Sequence, residues 1–101
     1  ATEIPTEGVV IVDVIKHNNI NSPRIESSDY IMTVGSAKPM EDAARIAFYE
    51  LVMWLESEYG IEKLMAYQLC SQVARVRLAN MVDILYSVVA KFPKTYLPRR
   101  V

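Results

Sequence analysis

The segment from Pro39 to Gly60 constrains the fold most, because its sequence specifies a helix at both ends and along one face. Pro39 suits the first helical position, where its missing N–H costs nothing, and Glu41 and Asp42 place negative charge at the positive end of the helix dipole. Gly60 favours the left-handed conformation in which many helices end. One apolar stripe recurs at spacings of three and four residues: Met40, Ala44, Ala47, Leu51, Trp54 and Leu55. The pattern predicts a helix from Pro39 to Tyr59.

A second helix is predicted after a short turn, from about Glu62 to Asn80. Its main stripe consists of Met65, Leu69, Val73, Val76 and Asn80. Two helices joined by so short a turn lie antiparallel, so we expect an αα-hairpin.

Three strands are predicted around these helices. Gly8 to Lys16 is β-branched and apolar at both odd and even positions, which is typical of a strand covered on both faces. Arg24 to Ala37 has β character that is strongest from Tyr30 to Val34, and Ile84 to Phe92 forms the last apolar run. The predicted order is β-β-α-α-β. This is an α+β fold of one domain, residues 1–101, in which a small sheet carries an antiparallel helical hairpin on one face.

Composition sets limits on the class of protein. The chain has 101 residues, 51% of them hydrophobic, and a net charge of −1, which suits one compact domain and not a disordered chain. The basic residues are not clustered as they are in proteins that bind nucleic acid. No apolar run approaches the ~18 residues of a membrane helix. A single cysteine excludes an internal disulfide and fits a cytoplasmic setting. The chain begins with Ala1, which fits either removal of an initiator Met or origin in a longer chain.

The stretch from Ala66 to Asp83 comes closest to showing chemistry, because it holds the one cysteine beside a serine. Adjacent helical residues point about 100° apart, so Cys70 and Ser71 cannot serve one reacting atom. Cys70 lies on a flank with the small residues Ala66 and Ala74, together with Arg77. We interpret it as a packed and unreactive cysteine rather than a nucleophile.

Two arginines and an aspartate follow in the same stretch. In a helix Arg75 and Arg77 project about 200° apart, so they do not form a bidentate clamp. Arg77 is the better functional candidate of the two. Asp83 ends the predicted helix, where aspartate usually binds free backbone groups of a connection.

Other polar residues fit structural roles as well as functional ones. Asp13 and His17 would share a face near the end of the first strand, either as part of a metal site or as a loop contact. Without further ligands nearby, no metal site is predicted in this chain. Arg24 and Glu26 share a strand face, which is typical of an ion pair, and Trp54 belongs to the core. No complete catalytic motif is present.

The order of motifs nevertheless resembles a known family. "SPRIES" leads into "VGSAKPMEDAARIA", followed by "EYGIEKLMAYQLCS" and then "VARVRLANMVD". This series is similar to the C-terminal part of the acetamidase/formamidase family, over about Ser22 to Pro98. The matching residues are Pro23, Arg24, Glu26, Gly35, Ala37, Glu41, Asp42, Ala43, Tyr59, Gly60, Ala66, Tyr67, Leu69, Ser71, Val73, Arg77, Val82 and Asp83.

The resemblance implies a C-terminal segment or subunit of an amidohydrolase that cleaves short linear amides to a carboxylate and ammonia. The chain alone is expected to be inactive, with no cofactor of its own, and a divalent metal would act in the complete enzyme. Its expected partner is the upstream β-rich part of the enzyme or a companion subunit, and a homo-oligomer is expected. Arg77 and Asp83 are the catalytic candidates, and Arg24 and Glu26 are the substrate-binding candidates. The alternative is a non-catalytic domain for protein interaction or oligomerisation, which the sheet edges and the high apolar fraction favour.

Overall fold

The computed structural model of the chain describes residues 3–101. Four strands form one antiparallel sheet in the order β1-β2-β4-β3, and two helices accompany it. The elements, in chain order, are β1 (Arg24–Glu26), β2 (Tyr30–Ala37), α1 (Met40–Tyr59), α2 (Lys63–Val73), β3 (Arg75–Asn80) and β4 (Tyr86–Pro93), followed by a 3₁₀ turn (Lys94–Tyr96). The predicted α+β class is confirmed, with the order β-β-α-α-β-β.

Helix α1 follows the sequence closely. It begins at Met40, one residue later than expected, because Pro39 takes the extended N-cap conformation. Glu41 and Asp42 lie in its first turn, and Gly60 ends it in the left-handed region with φ of 65°. The N–H groups of this end bind the carbonyls of the last turn, so the helix stops where the sequence predicts.

Helix α1 packs closely against the two central strands. A Cβ atom added to Gly35 of β2 would lie 2.0 Å from the carbonyl oxygen of Ala43 and 2.7 Å from the backbone nitrogen of Ala47. Two residues earlier, the hydroxyl of Thr33 donates a hydrogen bond of 2.6 Å to the carbonyl of Ala47. The missing side chain of Gly35 therefore lets the helix approach the sheet closely, and the hydroxyl of Thr33 binds the helix backbone at the same place.

The core lies between this face of the sheet and the two helices. Its buried members are Ile31, Ala47, Leu51, Val52, Trp54, Leu55, Tyr59, Ala66, Cys70, Ala90 and Phe92. Helix α2 contributes through its small residues, Ala66 and Cys70, whereas Met65 of the predicted stripe is 52% exposed. The expectation that small residues on one flank mean close packing is confirmed.

The second helix is shorter than predicted. It ends at Val73, and Ala74 takes extended backbone angles. The residues from Arg75 to Asn80 form β3, which pairs with β4. The sequence "RVRLAN" alternates polar and apolar side chains, and the free edge of β4 supplies backbone partners that make this extended form favourable. The prediction of one helix as far as Asn80 is therefore wrong.

The first predicted strand is also absent from the described residues. Gly8 to Lys16 lies in no strand, and its side chains are exposed. The second predicted strand divides into β1 and β2 at a turn, where the Ser27 hydroxyl accepts the N–H of Tyr30 at 3.1 Å. The last predicted strand corresponds to β4, which begins two residues late at Tyr86.

Candidate functional site

A cleft of about 770 Å³ opens where the short strand β1 stops and leaves part of β2 without a neighbouring strand. It lies between this part of β2, the exposed side of α1 and the segment that precedes β1. Its polar lining comes from Asn21, Ser36, Arg45, Tyr49 and Glu50, among others. We call it the Glu50 cleft.

Glu50 is the acidic side chain that the fold buries, with 4% of its surface exposed. Its Oε1 atom accepts one hydrogen bond of 3.3 Å from the side-chain amide of Asn21. Among residues 3–101, no lysine, arginine or histidine nitrogen lies within 4.0 Å of the carboxylate. Neither carboxylate oxygen is both buried and without a partner, so the group keeps access to the cleft and can accept a hydrogen bond from a molecule that enters it.

Sequence reasoning missed Glu50, although a signal was present. Glu50 lies three residues after Ala47 and four before Trp54, so it falls on the apolar stripe of α1. A charged residue inside an apolar stripe indicates either a buried ion pair or a functional site.

Glu26 is bound by two cations at the end of β1. The Lys94 ammonium donates to Oε1 at 2.7 Å, and the Arg100 guanidinium donates to Oε2 at 2.5 Å. These bonds, the one from Lys94 foremost, lower the pKa of Glu26 below its usual value. Arg100 also donates to the Tyr59 hydroxyl at 3.1 Å, and its own pKa is raised by these partners. No local pattern predicts this cluster, because its members come from three separate segments.

Arg24 lies beside this cluster and not in a pair with Glu26. Its guanidinium sits 5.0 Å from the centre of the Trp54 ring and 3.8 Å from Oε1 of Glu58. Its Nε atom is buried and has no hydrogen-bond partner among the described residues. Arg24 and Glu50 line one small cavity of about 200 Å³, next to the Glu50 cleft. Of the two substrate-binding candidates, Arg24 is therefore the one that the fold brings near Glu50.

Arg77 lies elsewhere, on the sheet face that points away from α1. It pairs in register with Val89 and lines a shallow depression of about 350 Å³ together with Met32 and Lys91. Arg75 is two residues away on the same strand, so both arginines share this face. The predictions that they project apart and that Arg77 shares the flank of Cys70 are wrong, because this segment is a strand.

Asp83 lies in the connection between β3 and β4. Its carboxylate accepts a hydrogen bond from the Asn80 side-chain amide, and the amide oxygen of Asn80 accepts the N–H of Val82 at 2.9 Å. Asp83 thus binds a side-chain amide within the connection, rather than the free backbone groups of a helix end that the sequence predicts.

Cys70 and Ser71 do not form a nucleophilic pair. Cys70 is 4% exposed, and burial raises the pKa of its thiol to about 11. Ser71 is exposed, and its hydroxyl donates to the carbonyl of Gln68 at 2.6 Å. At neutral pH the thiol therefore stays protonated and packed.

The described residues do not assemble a metal site. Asp13 accepts the N–H of its neighbour Val14 at 2.7 Å, and His17 is exposed in a turn with φ of 60°. Within residues 3–101, no three side chains of histidine, cysteine, aspartate or glutamate come close enough together to hold a metal ion. The divalent metal predicted for the complete enzyme stays a prediction. In the same part of the chain, no helix is long and apolar enough to cross a membrane.

Comparison with solved structures relates this fold to known proteins. An acetamidase from Yersinia enterocolitica is 46% identical to the chain over 84% of its length, with a TM-score of 0.82. The predicted resemblance to the acetamidase/formamidase family is confirmed. The chain spans 26% of the length of this acetamidase, which is consistent with a C-terminal portion.

Two more distant structures share the fold. An acetamidase from Bacillus halodurans and a predicted acetamidase/formamidase from the thermophile Thermoanaerobacter tengcongensis are each 20% identical, over 73% and 80% of the chain, with TM-scores of 0.68 and 0.73. The chain spans about a quarter of each. No family model matches the chain, and neither does any curated protein.

Proposed function

We propose that this chain is the C-terminal segment or subunit of an amidohydrolase that cleaves short linear amides, such as formamide or acetamide, to a carboxylate and ammonia. The observation that supports it is the 46% identity to an acetamidase combined with a TM-score of 0.82. Because the chain spans about a quarter of that enzyme, it supplies one part of the machinery and acts together with the rest.

Hydrolysis of an amide needs a nucleophile that adds to the carbonyl carbon and a proton for the departing nitrogen. The described residues offer no activated nucleophile, since the Cys70 thiol is buried and the Ser71 hydroxyl is bound to a carbonyl. We place the nucleophile, a metal-activated water by the resemblance, in the remaining part of the enzyme. This chain would contribute packing and the Glu50 cleft, which faces that remaining part.

The test uses two proteins. The first is the isolated chain, which we expect to release no ammonia from formamide or acetamide. The second is a chimera of the Yersinia enterocolitica acetamidase that carries residues 3–101 of this chain. They replace a stretch of equal length, which consists of the matched region and the residues just before it. We expect this chimera to hydrolyse acetamide, and Glu50→Gln to lower its kcat/KM at least tenfold while its Tm stays unchanged.

Two outcomes would contradict the proposal. Ammonia release by the isolated chain, lost on Arg77→Ala or Asp83→Asn, would place catalysis within these residues. A chimera that folds but does not hydrolyse acetamide would show that this chain cannot serve as the C-terminal part of an amidase. The matched control is Glu41→Gln, an exposed glutamate on the same helix, which should leave acetamide hydrolysis unchanged.

The alternative function, a domain for interaction or oligomerisation, is favoured by the two edge strands. Ile25 on β1 and Val76 and Leu78 on β3 are about half exposed. Edges of this kind can pair with another copy of the chain, and a homo-oligomer in the cytoplasm is part of our proposal. Acetamide hydrolysis by the chimera distinguishes the two functions, since a domain for oligomerisation alone would form a stable dimer in light scattering but would give an inactive chimera.

A further inference from the structure

The N-terminal segment, residues 8–15, is strongly apolar and yet uncovered. Its six valine and isoleucine side chains are between 76% and 97% exposed: Val9, Val10, Ile11, Val12, Val14 and Ile15. Folded proteins seldom leave a continuous run of this size in water, and such runs usually mark an interaction site. Because every one of these residues is β-branched, the conformation that the segment favours is an extended strand.

The apolar side chains occupy both faces of such a strand. Val10, Val12 and Val14 would point to one side, and Val9, Ile11 and Ile15 would point to the other. A strand with one face in water shows alternation of polar and apolar residues, whereas a strand covered on both faces does not. The partner must therefore supply neighbouring strands and a cover on each face.

The sheet of this chain does not offer those surroundings. Helix α1 covers one of its faces, while the other carries Arg75, Arg77 and Lys91 and has no covering layer among residues 3–101. A segment added to the edge of this sheet in a second copy would bury one of its faces and leave the other exposed. A second copy is therefore the poorer occupant.

The chain matches 26% of the length of the Yersinia enterocolitica acetamidase, which leaves about three quarters of such an enzyme to act as partner. We propose that residues 8–15 form a β-strand in a sheet of that remaining part, with a covering layer on each face of the strand, and so join the two parts of the enzyme. Backbone hydrogen bonds hold the strand, and its valine and isoleucine side chains set the register. This inference rests on the proposed function, and it identifies residues 8–15 as the surface through which the two parts bind each other.

The experiment measures hydrogen exchange of the amides of residues 8–15 in the isolated chain and in the acetamidase chimera described above. We expect exchange within seconds in the isolated chain and at least 100-fold slower exchange in the chimera. Val10→Asp combined with Val12→Asp should abolish this protection and lower acetamide hydrolysis at least tenfold. Leu64→Asp combined with Tyr67→Asp, which adds the same charge at 71% and 67% exposed positions of α2, should change neither.

Failure of this inference can be told apart from failure of the proposed function. A chimera that hydrolyses acetamide while residues 8–15 exchange freely supports the function and overturns the strand. The strand is equally overturned if the Val10→Asp, Val12→Asp chimera keeps full activity. If the isolated chain protects residues 8–15 increasingly with its own concentration, the occupant is a second copy and the proposal is wrong, whether or not the chimera folds.

Discussion

Gly35 sets the distance between α1 and the sheet. Its missing side chain lets the backbone of the helix approach β2 directly, and Thr33 uses the same closeness to bind the carbonyl of Ala47. Glycine at this position is required for packing, since its backbone angles are those of an ordinary strand residue.

Gly35→Ala should therefore lower the free energy of unfolding by about 2–3 kcal/mol, because the new methyl group meets helix backbone that has no room to move. Urea denaturation followed by circular dichroism measures the change. Gly8→Ala is the matched control, because nothing lies within 4 Å of a Cβ atom at Gly8. Equal stability of the two variants would show that the helix and the sheet are less closely packed than described.

Prediction from sequence worked for residues whose role depends on local pattern. Cys70 was expected to be packed because small residues surround it along the helix, and it is buried. The local pattern does not predict the site at Glu50, because its hydrogen bond comes from Asn21 and the cleft beside it depends on the short length of β1, both distant in sequence. Local periodicity places a side chain on a face but does not state what covers that face.

At the scale of elements, helix α1 and strand β4 follow from sequence, whereas β3 does not. The positions Val73, Val76 and Asn80 fit a helical period, and the residues from Arg75 to Asn80 also alternate with the period of a strand. The choice between the two is made by β4, which needs a neighbour on that side and lies later in the chain. Short segments that fit both periods are decided by tertiary pairing.

The N-terminal segment up to Lys16 should contribute little to the stability of the isolated chain. Its apolar side chains from Val9 to Ile15 are exposed, and its described part, residues 3–16, takes part in no strand pairing. Deletion of residues 1–16 should change the free energy of unfolding by less than about 0.5 kcal/mol, as surface changes usually do. A loss above that size in urea denaturation would show that the segment packs on the domain in solution.

At the scale of the whole molecule, the C-terminal tail fastens β1 to α1. Arg100 binds both Glu26 and Tyr59, and the N–H of Val101 donates to the carbonyl of Glu58 at 2.9 Å. Arg100 and Val101 therefore hold the end of β1 and the C-terminal end of α1 together.

Glu26→Gln should make the chain less stable at neutral pH by about 0.5–1 kcal/mol, a modest value because the side chain is 40% exposed. The pKa of Glu26 is lower in the folded chain than its ordinary value of 4.5. The stabilisation is therefore fully present above pH 4.5 and is lost as the pH falls through the lower, folded value. Urea denaturation of both proteins across this range should show the two stabilities converge in acid. The exposed Glu7→Gln serves as control, and a difference that persists unchanged at low pH would contradict the role of the ion pairs.

The strand order β1-β2-β4-β3 also determines when the domain can fold as it leaves the ribosome. The central pairing joins strands far apart in the chain, for example through the hydroxyls of Ser36 and Ser87, which are 51 positions apart. Until β4 emerges, the apolar side of α1 has half of its sheet to pack on, and the contacts of Arg100 and Val101 form only after β4. The nascent chain therefore keeps the apolar side of α1 partly uncovered until β4 and the residues up to Val101 have emerged.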